Sequence, residues 1–260
     1  MDLSMENLRT MVASMTQSQD SPPCPTVVEF SGCEQCDRGW IRHTEGDYSY
    51  AKKCDCLIAK ETVHRFRRSG LGEALDTCTF DTYKAEEPWQ KAMKDTALRY
   101  TNHLKGKGEE WLFLGGTVGS GKSHLCTAVC GELMKSGRNV KYMQWVSESR
   151  RLKALVTDEE AFDDAIEKYR ESDILYIDDL LKQQHQFGGI PKPTDADIRV
   201  VFEIINDRYN RRKPTIISSE WTLTKDLMDA DPGAFSRIYE RAKGFMCELT
   251  GADKNYRLKG

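Results

Sequence analysis

Residues 111–123 read Trp-Leu-Phe-Leu-Gly-Gly-Thr-Val-Gly-Ser-Gly-Lys-Ser, an apolar run that leads into a glycine-rich turn. A helix-forming stretch follows, so the predicted order is strand, loop and helix. The backbone N–H groups of such a turn and the positive N-terminal end of such a helix both attract an anion. The stretch therefore predicts an α/β fold with a phosphate-binding loop between a sheet strand and the next helix.

The residue types in this loop match the chemistry of nucleotide binding. Glycines let backbone N–H groups turn toward phosphates, the lysine reaches the β and γ phosphates, and the serine hydroxyl ligates magnesium. An ordinary glycine turn would not explain a Lys-Ser pair at the start of the helix. The predicted ligands of ATP and Mg²⁺ are Gly116, Thr117, Val118, Gly119, Ser120, Gly121, Lys122 and Ser123.

A second polar site is predicted downstream, where the apolar residues 174–177 precede Asp178 and Asp179. The carboxyl ends of parallel strands meet at one edge of a sheet, so these acids are expected beside the phosphate-binding loop. Asp178 would hold magnesium together with Ser123, and Asp179 would be the general base that polarises the attacking water. A lone buried strand that ends in aspartate would be unremarkable, but its pairing with the loop indicates ATP hydrolysis.

The sequence from residue 110 onward alternates short apolar runs with helical patterns, which is typical of a parallel sheet covered on both faces. Thr194 and Asp197 have the spacing of a capping box and predict a helix that continues to about residue 212. The inward positions of that helix are expected to be Ile198, Phe202, Ile205 and Tyr209. The predicted strands are residues 111–114, 140–145, 174–177, 215–218 and 245–249.

The N-terminal region differs from this pattern and predicts two further segments. Residues 1–25 are polar with a Ser-Pro-Pro run, which favours a flexible segment. Their apolar residues at helical spacing either fit a partner's groove or belong to a frayed tail; they are Met5, Leu8, Met11 and Met15. Residues 26–70 are expected to form a small metal-binding module, and residues 71–260 the nucleotide-binding domain.

Four cysteines in the predicted module have the number and spacing of a metal site. One pair is separated by two residues and the other by one residue, which supplies four thiolates for a closed tetrahedral zinc site of structural type. Free thiols in a reducing compartment are the alternative. The predicted Zn²⁺ ligands are Cys33, Cys36, Cys54 and Cys56.

Composition limits the possible partners of the chain, which has 260 residues and a net charge of −3. Attraction to nucleic-acid phosphates must then come from a local patch. No apolar run of about 20 residues predicts a membrane span, and no secretion signal is recognisable, so we expect a cytoplasmic protein with reduced cysteines. Two basic runs could bind phosphates or simply be solvated helix faces: Arg65, Arg67 and Arg68, and Arg150, Arg151 and Lys153.

Taken in order, these motifs resemble the AAA+ helicase loaders of the DnaC, DnaI and phage DnaC-like kind, to which the transposition ATPase IstB is related. The resemblance extends from about Cys33 to the C-terminus. It implies an AAA+ fold with a five-stranded parallel sheet, a zinc-binding N-terminal module and a shortened lid. It also places His124, the residue after the loop serine, among the nucleotide-binding residues. The motifs are the segments 33–40, 54–56, 79–83, 116–125, 174–180, 211–220, 234–242 and 255–257.

The resemblance implies further site residues near the C-terminus. Arg237 matches the arginine finger, which stabilises transition-state charge in a neighbouring subunit's site, with Arg241 as the alternative one helical turn later. Arg257 matches the second sensor arginine. Ser219 and Glu220 stand where the family has a polar sensor, often asparagine, so either Ser219 substitutes for it or Glu220 is a solvated acid.

The function implied by the resemblance is ATP-dependent loading of a hexameric replicative helicase onto single-stranded DNA. The loader would self-associate into an ATP-bridged oligomer, and its cysteine module would contact the helicase. An IstB-like ATPase that regulates DNA transposition is the alternative. A module that binds ATP without hydrolysing it also stays open because of Glu220, and a small-molecule kinase would need a lid and an acceptor pocket that the sequence does not indicate.

Overall fold

The computed structural model describes residues 33, 35–46, 48–182 and 193–256. The chain divides into two compact units, one that ends at Arg68 and one that begins at Ser69. The predicted flexible segment 1–25, with its apolar stripe, and the predicted sensor Arg257 lie outside the described residues.

The N-terminal unit is built on a hairpin that the sequence did not predict. Strands β1 (Trp40–Glu45) and β2 (Tyr48–Lys53) are antiparallel, and Trp40 lies opposite Lys53. Helix α1 (Asp55–Ser69) follows directly. Every residue of β2 is exposed, so the strand lacks the alternation of apolar and polar residues by which strands are recognised.

The second unit contains a five-stranded parallel sheet, which confirms the predicted α/β class. Its strands are β3 (Leu112–Gly116), β4 (Val140–Gln144), β5 (Ile174–Asp178), β6 (Thr215–Ser218) and β7 (Met246–Leu249). They run in the order β4, β5, β6, β3, β7, and every neighbouring pair is parallel. Strand β6 therefore lies between β3 and β5, and the segments that follow these three strands meet at one edge of the sheet.

Helices connect the strands of this sheet. The apolar side chains of the sheet and the helices enclose a continuous core that includes Trp111, Phe113, Ile177, Ile204 and Phe235. None of the described helices has the length and apolar character needed to cross a membrane. The helices are α2 (Ala74–Thr77), α3 (Pro88–Lys105), α4 (Lys122–Lys135), α5 (Trp145–Lys153), α6 (Glu159–Arg170), α7 (Asp195–Asn210), a π-helical turn (Leu223–Leu227), α8 (Met228–Ala230) and α9 (Pro232–Ala242).

Helix α7 begins as the sequence predicted, and its buried face overlaps the predicted one in part. Thr194 and Asp197 form the predicted capping box. Of the four expected inward positions, Ile205 is fully buried, Ile198 and Tyr209 pack against the core at partial exposure, and Phe202 is 36% exposed. A second apolar stripe lies one residue away on the helix, so periodicity alone did not distinguish the two. The buried positions are Asp197, Val200, Val201, Ile204, Ile205 and Arg208.

Arg208 explains why this face of α7 points inward. Its guanidinium is fully buried and donates to the carbonyls of Tyr169 (2.9 Å), Ser172 (2.9 Å) and Pro214 (2.6 Å), and to Thr215 Oγ1 (2.9 Å). Burial lowers the pKa of Arg208 to about 9. The side chain satisfies carbonyls that precede both β5 and β6, and so fixes the two strands against α7.

Candidate functional site

The loop between β3 and α4 has a backbone that its glycines make possible. Gly116, Gly119 and Gly121 have φ angles of 94°, 72° and 89°, a region that other residues rarely adopt. A Cβ atom on Gly116 would collide with the carbonyl of Leu249, and one on Gly121 would lie 2.7 Å from the ring of Tyr83. Glycine is therefore required at both positions, because no room is left for a side chain.

Segments distant in sequence hold the loop in this shape. The Thr117 N–H donates to the Leu249 carbonyl (2.8 Å), and the Thr117 hydroxyl donates to the Gly251 carbonyl (3.0 Å). The Tyr256 N–H donates to the Gly119 carbonyl (3.1 Å). The loop is thus closed by the chain that leaves β7.

Lys122 is 5% exposed and directs its ammonium group into the concave side of the loop. Its Nζ donates to the carbonyls of Gly116 (2.9 Å) and Thr117 (2.7 Å). Burial lowers the pKa of Lys122, while the charges of Asp179 and Glu220 act in the opposite direction. The ammonium is therefore a partly desolvated cation at the centre of the loop, where an anion is strongly attracted.

Asp178, at the end of β5, accepts hydrogen bonds from four hydroxyl groups. Ser123 Oγ, the first-turn hydroxyl of α4, donates to Asp178 Oδ1 at 2.8 Å. Ser218 Oγ (2.5 Å) and the Tyr176 hydroxyl (2.7 Å) share that oxygen, and the Tyr142 hydroxyl donates to Oδ2 at 3.0 Å. The structure thus brings the predicted pair Ser123 and Asp178 into direct contact.

The two tyrosines and Ser218 were missed by the sequence analysis. A signal existed for Tyr176, because residues two apart on a strand face the same side and Tyr176 precedes Asp178 by two. Tyr142 lies opposite Tyr176 in register on β4. That register was not available from the sequence. Burial raises the pKa of both tyrosines, with the nearby Asp178 charge adding to it, so both hydroxyls are donors.

The turn after β5 is conformationally strained. Asp179 and Leu181 have φ angles of 56° and 60°, which are unfavourable for residues with a side chain. Ser218 on β6 holds the turn: its hydroxyl accepts from the Asp179 N–H (3.0 Å), and its carbonyl accepts from the Leu180 N–H (2.8 Å). Strain of this kind is concentrated at functional sites, and here it turns Asp179 into the cleft.

Ser219 and Glu220, the two candidates for a sensor, have different environments. Ser219 is fully buried, and its hydroxyl donates to the Leu180 carbonyl at 2.9 Å. Glu220 lines the cleft and forms an ion pair with Lys182, whose Nζ lies 2.7 Å from Glu220 Oε1. Ser219 therefore supports the turn, while the acidic side chain faces the cleft.

These residues surround an open cleft of about 460 Å³ at the carboxyl edge of the sheet. Beside it, His124 Nε2 hydrogen-bonds to the Thr79 carbonyl at 2.8 Å, and its ring packs edge-on against Tyr83. The segment 79–83 thus borders the loop. The residues that line the cleft include Val118, Gly119, Gly121, Lys122, Ser123, His124, Thr127, Tyr142, Asp178, Asp179, Lys182, Glu220 and Tyr256.

A family profile for IstB-like ATP-binding proteins matches residues 40–231, which contain the loop, both aspartates and Glu220. The chain belongs to this family. The profile begins after Cys36 and ends before Arg237, so it covers neither the first cysteine pair nor the predicted arginine finger.

Individual relatives agree with this assignment. The uncharacterized protein YqaM of Bacillus subtilis is 30% identical over 81% of this chain and 67% of its own length. The phage-like element PBSX protein XkdC of the same organism is 28% identical over 88% of this chain and 86% of its own. The crystal structure of the DnaC helicase loader, at 23% identity, superposes with a TM-score of 0.51 over 66% of this chain and 96% of that chain. This IstB-like protein therefore has an AAA+ fold and is homologous to helicase loaders.

The predicted arginines of this IstB-like protein do not line its cleft within the described residues. Arg237 lies on α9, donates to the Gly233 carbonyl, and stacks over the rings of Phe202 (5.6 Å) and Tyr209 (5.8 Å). Arg241 donates to the Glu109 carbonyl at 2.6 Å. Since Glu109 precedes β3, Arg241 is at the opposite edge of the sheet from the loop.

The four predicted metal ligands of the N-terminal unit are brought together. The Cys54 N–H donates to the Gly39 carbonyl at 2.7 Å, which closes the hairpin and aligns the two cysteine pairs. Sγ–Sγ distances are 3.8 Å for Cys33 and Cys54 and 3.5 Å for Cys36 and Cys56, and all four sulfurs lie within 4.8 Å of one another. Tetrahedral thiolates at about 2.3 Å from a metal are separated by roughly 3.8 Å. The cluster therefore fits a metal ion.

Proposed function

We propose that this chain is a magnesium-dependent ATPase whose catalytic residues are those of the cleft. The observation that carries the proposal is the 2.8 Å contact between Ser123 and Asp178, with Lys122 and Asp179 in the same cleft. Mg²⁺ in phosphate sites takes hydroxyl and carboxylate oxygens as ligands. The ion would neutralise part of the charge of the phosphates. Lys122 would bind the phosphates, and Asp179 would accept the proton of the attacking water.

The work that we propose for this ATPase is loading of a hexameric replicative helicase onto single-stranded DNA in the bacterial cytoplasm. Homology to the DnaC and DnaI helicase loaders supports it. Some residues of the two basic runs already have acidic partners: Lys153 pairs with the buried Asp197 at 2.7 Å, and Arg65 with Glu61 at 3.5 Å. Arg67, Arg68 and Arg150 are exposed and are the better candidates for phosphate contacts.

Regulation of transposition by an IstB-like ATPase is the second candidate, and the family profile over residues 40–231 favours it. The DNA substrate distinguishes the two functions. A loader is expected to respond to single-stranded DNA and to bind a helicase, whereas a transposition regulator would respond to duplex DNA.

ATP turnover with single-stranded, duplex and no DNA is the first test. We expect magnesium-dependent hydrolysis that single-stranded DNA changes more than duplex DNA does, and co-purification with the replicative helicase of the host. Asp179→Asn should bind ATP with wild-type affinity and lose hydrolysis, because the base acts on the water only in the transition state. Wild-type protein that neither binds nor hydrolyses ATP would refute the proposal, and a response to duplex DNA alone would favour transposition.

The cysteine cluster should hold one structural Zn²⁺ per chain. Four thiolates leave no open coordination position, so the metal would stabilise the N-terminal unit without taking part in hydrolysis. We expect Cys54→Ser to lose the zinc measured by atomic emission and to keep nearly wild-type ATP affinity. Cys247→Ser is the matched control, because Cys247 is a partly exposed thiol outside both the cluster and the residues that line the cleft. Protein prepared without chelator that contains no zinc would contradict the assignment.

A further inference from the structure

Lys182 is a cation of the cleft to which neither the sequence motifs nor the comparisons assign a task. Its Nζ lies 2.9 Å from Asp179 Oδ2 and 2.7 Å from Glu220 Oε1, so one ammonium group bridges two carboxylates. Burial acts to lower the pKa of Lys182, but the hydrogen bonds that it donates to Glu220 and Asp179 outweigh burial and raise the pKa. The side chain is therefore charged throughout the physiological range.

The positive charge of Lys182 offsets negative charge in a cleft that is proposed to bind a polyanion. Asp178, Asp179 and Glu220 all line the cleft, so three carboxylates face the space in which phosphates would bind. An unneutralised Glu220 would repel them, since like charges at close range disfavour binding. Among the described residues, Lys122 and Lys182 are the lysines of the cleft, and only Lys182 contacts Glu220.

The position of Lys182 is set by the backbone. It ends the strained turn that contains Asp179, and its N–H donates to the Asp179 carbonyl at 2.9 Å. Its side chain is 36% exposed, and so retains freedom to exchange one partner for another. The proposed function makes Asp179 the base for the attacking water. Because Lys182 contacts the Asp179 carboxylate, its ammonium group lies at the γ-phosphate end of the cleft.

We propose that Lys182 contacts the γ-phosphate of bound ATP and that Glu220 holds the ammonium group in place for this contact. The inference rests on the proposed ATPase function and adds a residue that discriminates ATP from ADP. In the structure Lys182 is paired with Asp179; the γ-phosphate of bound ATP would compete for the ammonium and release the carboxylate to act on water. The acid at position 220 thus serves as an anchor for a phosphate-binding cation.

Binding of ADP and of a non-hydrolysable ATP analogue with a methylene β–γ bridge, measured by calorimetry, tests this inference without relying on turnover. For Lys182→Ala we expect roughly a 10- to 100-fold loss of affinity for the analogue, the range for a hydrogen bond to a charged group, and less than about a 2-fold change for ADP. Lys182→Arg should recover part of the loss. Lys225→Ala removes an exposed lysine of the π-helical turn and should leave both affinities unchanged.

Glu220→Gln distinguishes an anchoring role of Glu220 toward Lys182 from simple repulsion between Glu220 and the phosphates. We expect this variant to lower the preference for the ATP analogue over ADP by roughly 3- to 10-fold when Lys182 is present, and to raise the affinity for the analogue in the Lys182→Ala background. Tighter analogue binding by Glu220→Gln alone would overturn the anchoring role. An unchanged ratio of ATP-analogue to ADP affinity in Lys182→Ala, whether both fall or neither does, would overturn the inference. Wild-type protein that binds neither nucleotide would instead refute the proposed function itself.

Discussion

Lys122→Ala is expected to lose at least about 100-fold in ATP affinity, which is more than we expect for Lys182→Ala. The Lys122 ammonium is almost fully buried and already lies against the carbonyls of Gly116 and Thr117. Its removal leaves those carbonyls facing the phosphates with no cation at the centre of the loop. A loss should also appear for ADP, because the loop lysine serves the β-phosphate as well as the γ-phosphate.

The measurement is nucleotide titration by calorimetry, with thermal unfolding to verify that the variant is folded. Lys135→Ala is a matched control, since Lys135 lies at the other end of α4 and pairs with Glu132 at 2.9 Å. It should bind nucleotide as the wild type does. Equal affinities of wild type and a folded Lys122→Ala would remove the basis for the phosphate-binding assignment.

Arg237→Ala is expected to bind ATP normally and to hydrolyse it roughly 10³- to 10⁵-fold more slowly, the contribution of an arginine finger. Lys122 leaves part of the charge on the transferring phosphoryl group unneutralised, and a planar guanidinium matches phosphate oxygens. In the described structure Arg237 lies on α9 against Phe202 and Tyr209, away from the residues that line its own cleft. A contribution to hydrolysis would then come from a neighbouring subunit.

Mixing two inactive variants tests this arrangement. Arg237→Ala and Asp179→Asn should each be inactive, but an assembly of both contains interfaces that join an intact Arg237 to an intact Asp179. We expect part of the activity to return on mixing. Mixed oligomers that form and stay inactive would contradict action between subunits.

Arg241→Ala is the matched comparison on the same helix. Arg241 is bonded to Glu109 at the opposite edge of the sheet, so its loss should affect hydrolysis far less than the loss of Arg237. If Arg237→Ala hydrolyses like the wild type while Arg241→Ala does not, the finger is Arg241.

Local patterns made much of the fold and the nucleotide site predictable. The order of strand, glycine-rich loop and helix is written in consecutive residues, and an apolar run that ends in Asp178 and Asp179 is equally local. Parallel pairing then brings the loop and the acids to one edge of the sheet. The spacing of the cysteine pairs is also a local pattern and could be recognised, whereas the hairpin that aligns the two pairs could not.

The partners of Asp178 depend on information that no local pattern contains. Tyr142 reaches the carboxylate because β4 and β5 pair in one register among several, and Ser218 reaches it because β6 lies beside β5. Lys182 reaches Asp179 and Glu220 because Asp179 and Leu181 adopt a left-handed conformation. Residues with a side chain disfavour that conformation, so no sequence pattern indicated it. The buried face of α7 was predicted only in part, because Arg208, which lies on it, is charged and looks like a surface residue in the sequence.

The attachment of the loop to Leu249 has a consequence for biosynthesis. Ribosomes release the chain from its N-terminus, so Thr117 emerges long before its acceptor, which follows it by 132 residues. Until β7 and Tyr256 have been translated, the N–H of Thr117 and the carbonyl of Gly119 lack the partners that close the loop. A nascent chain that ends before β7 therefore lacks the contacts that hold the loop in its native shape, and we expect it to bind ATP less tightly than the 260-residue chain.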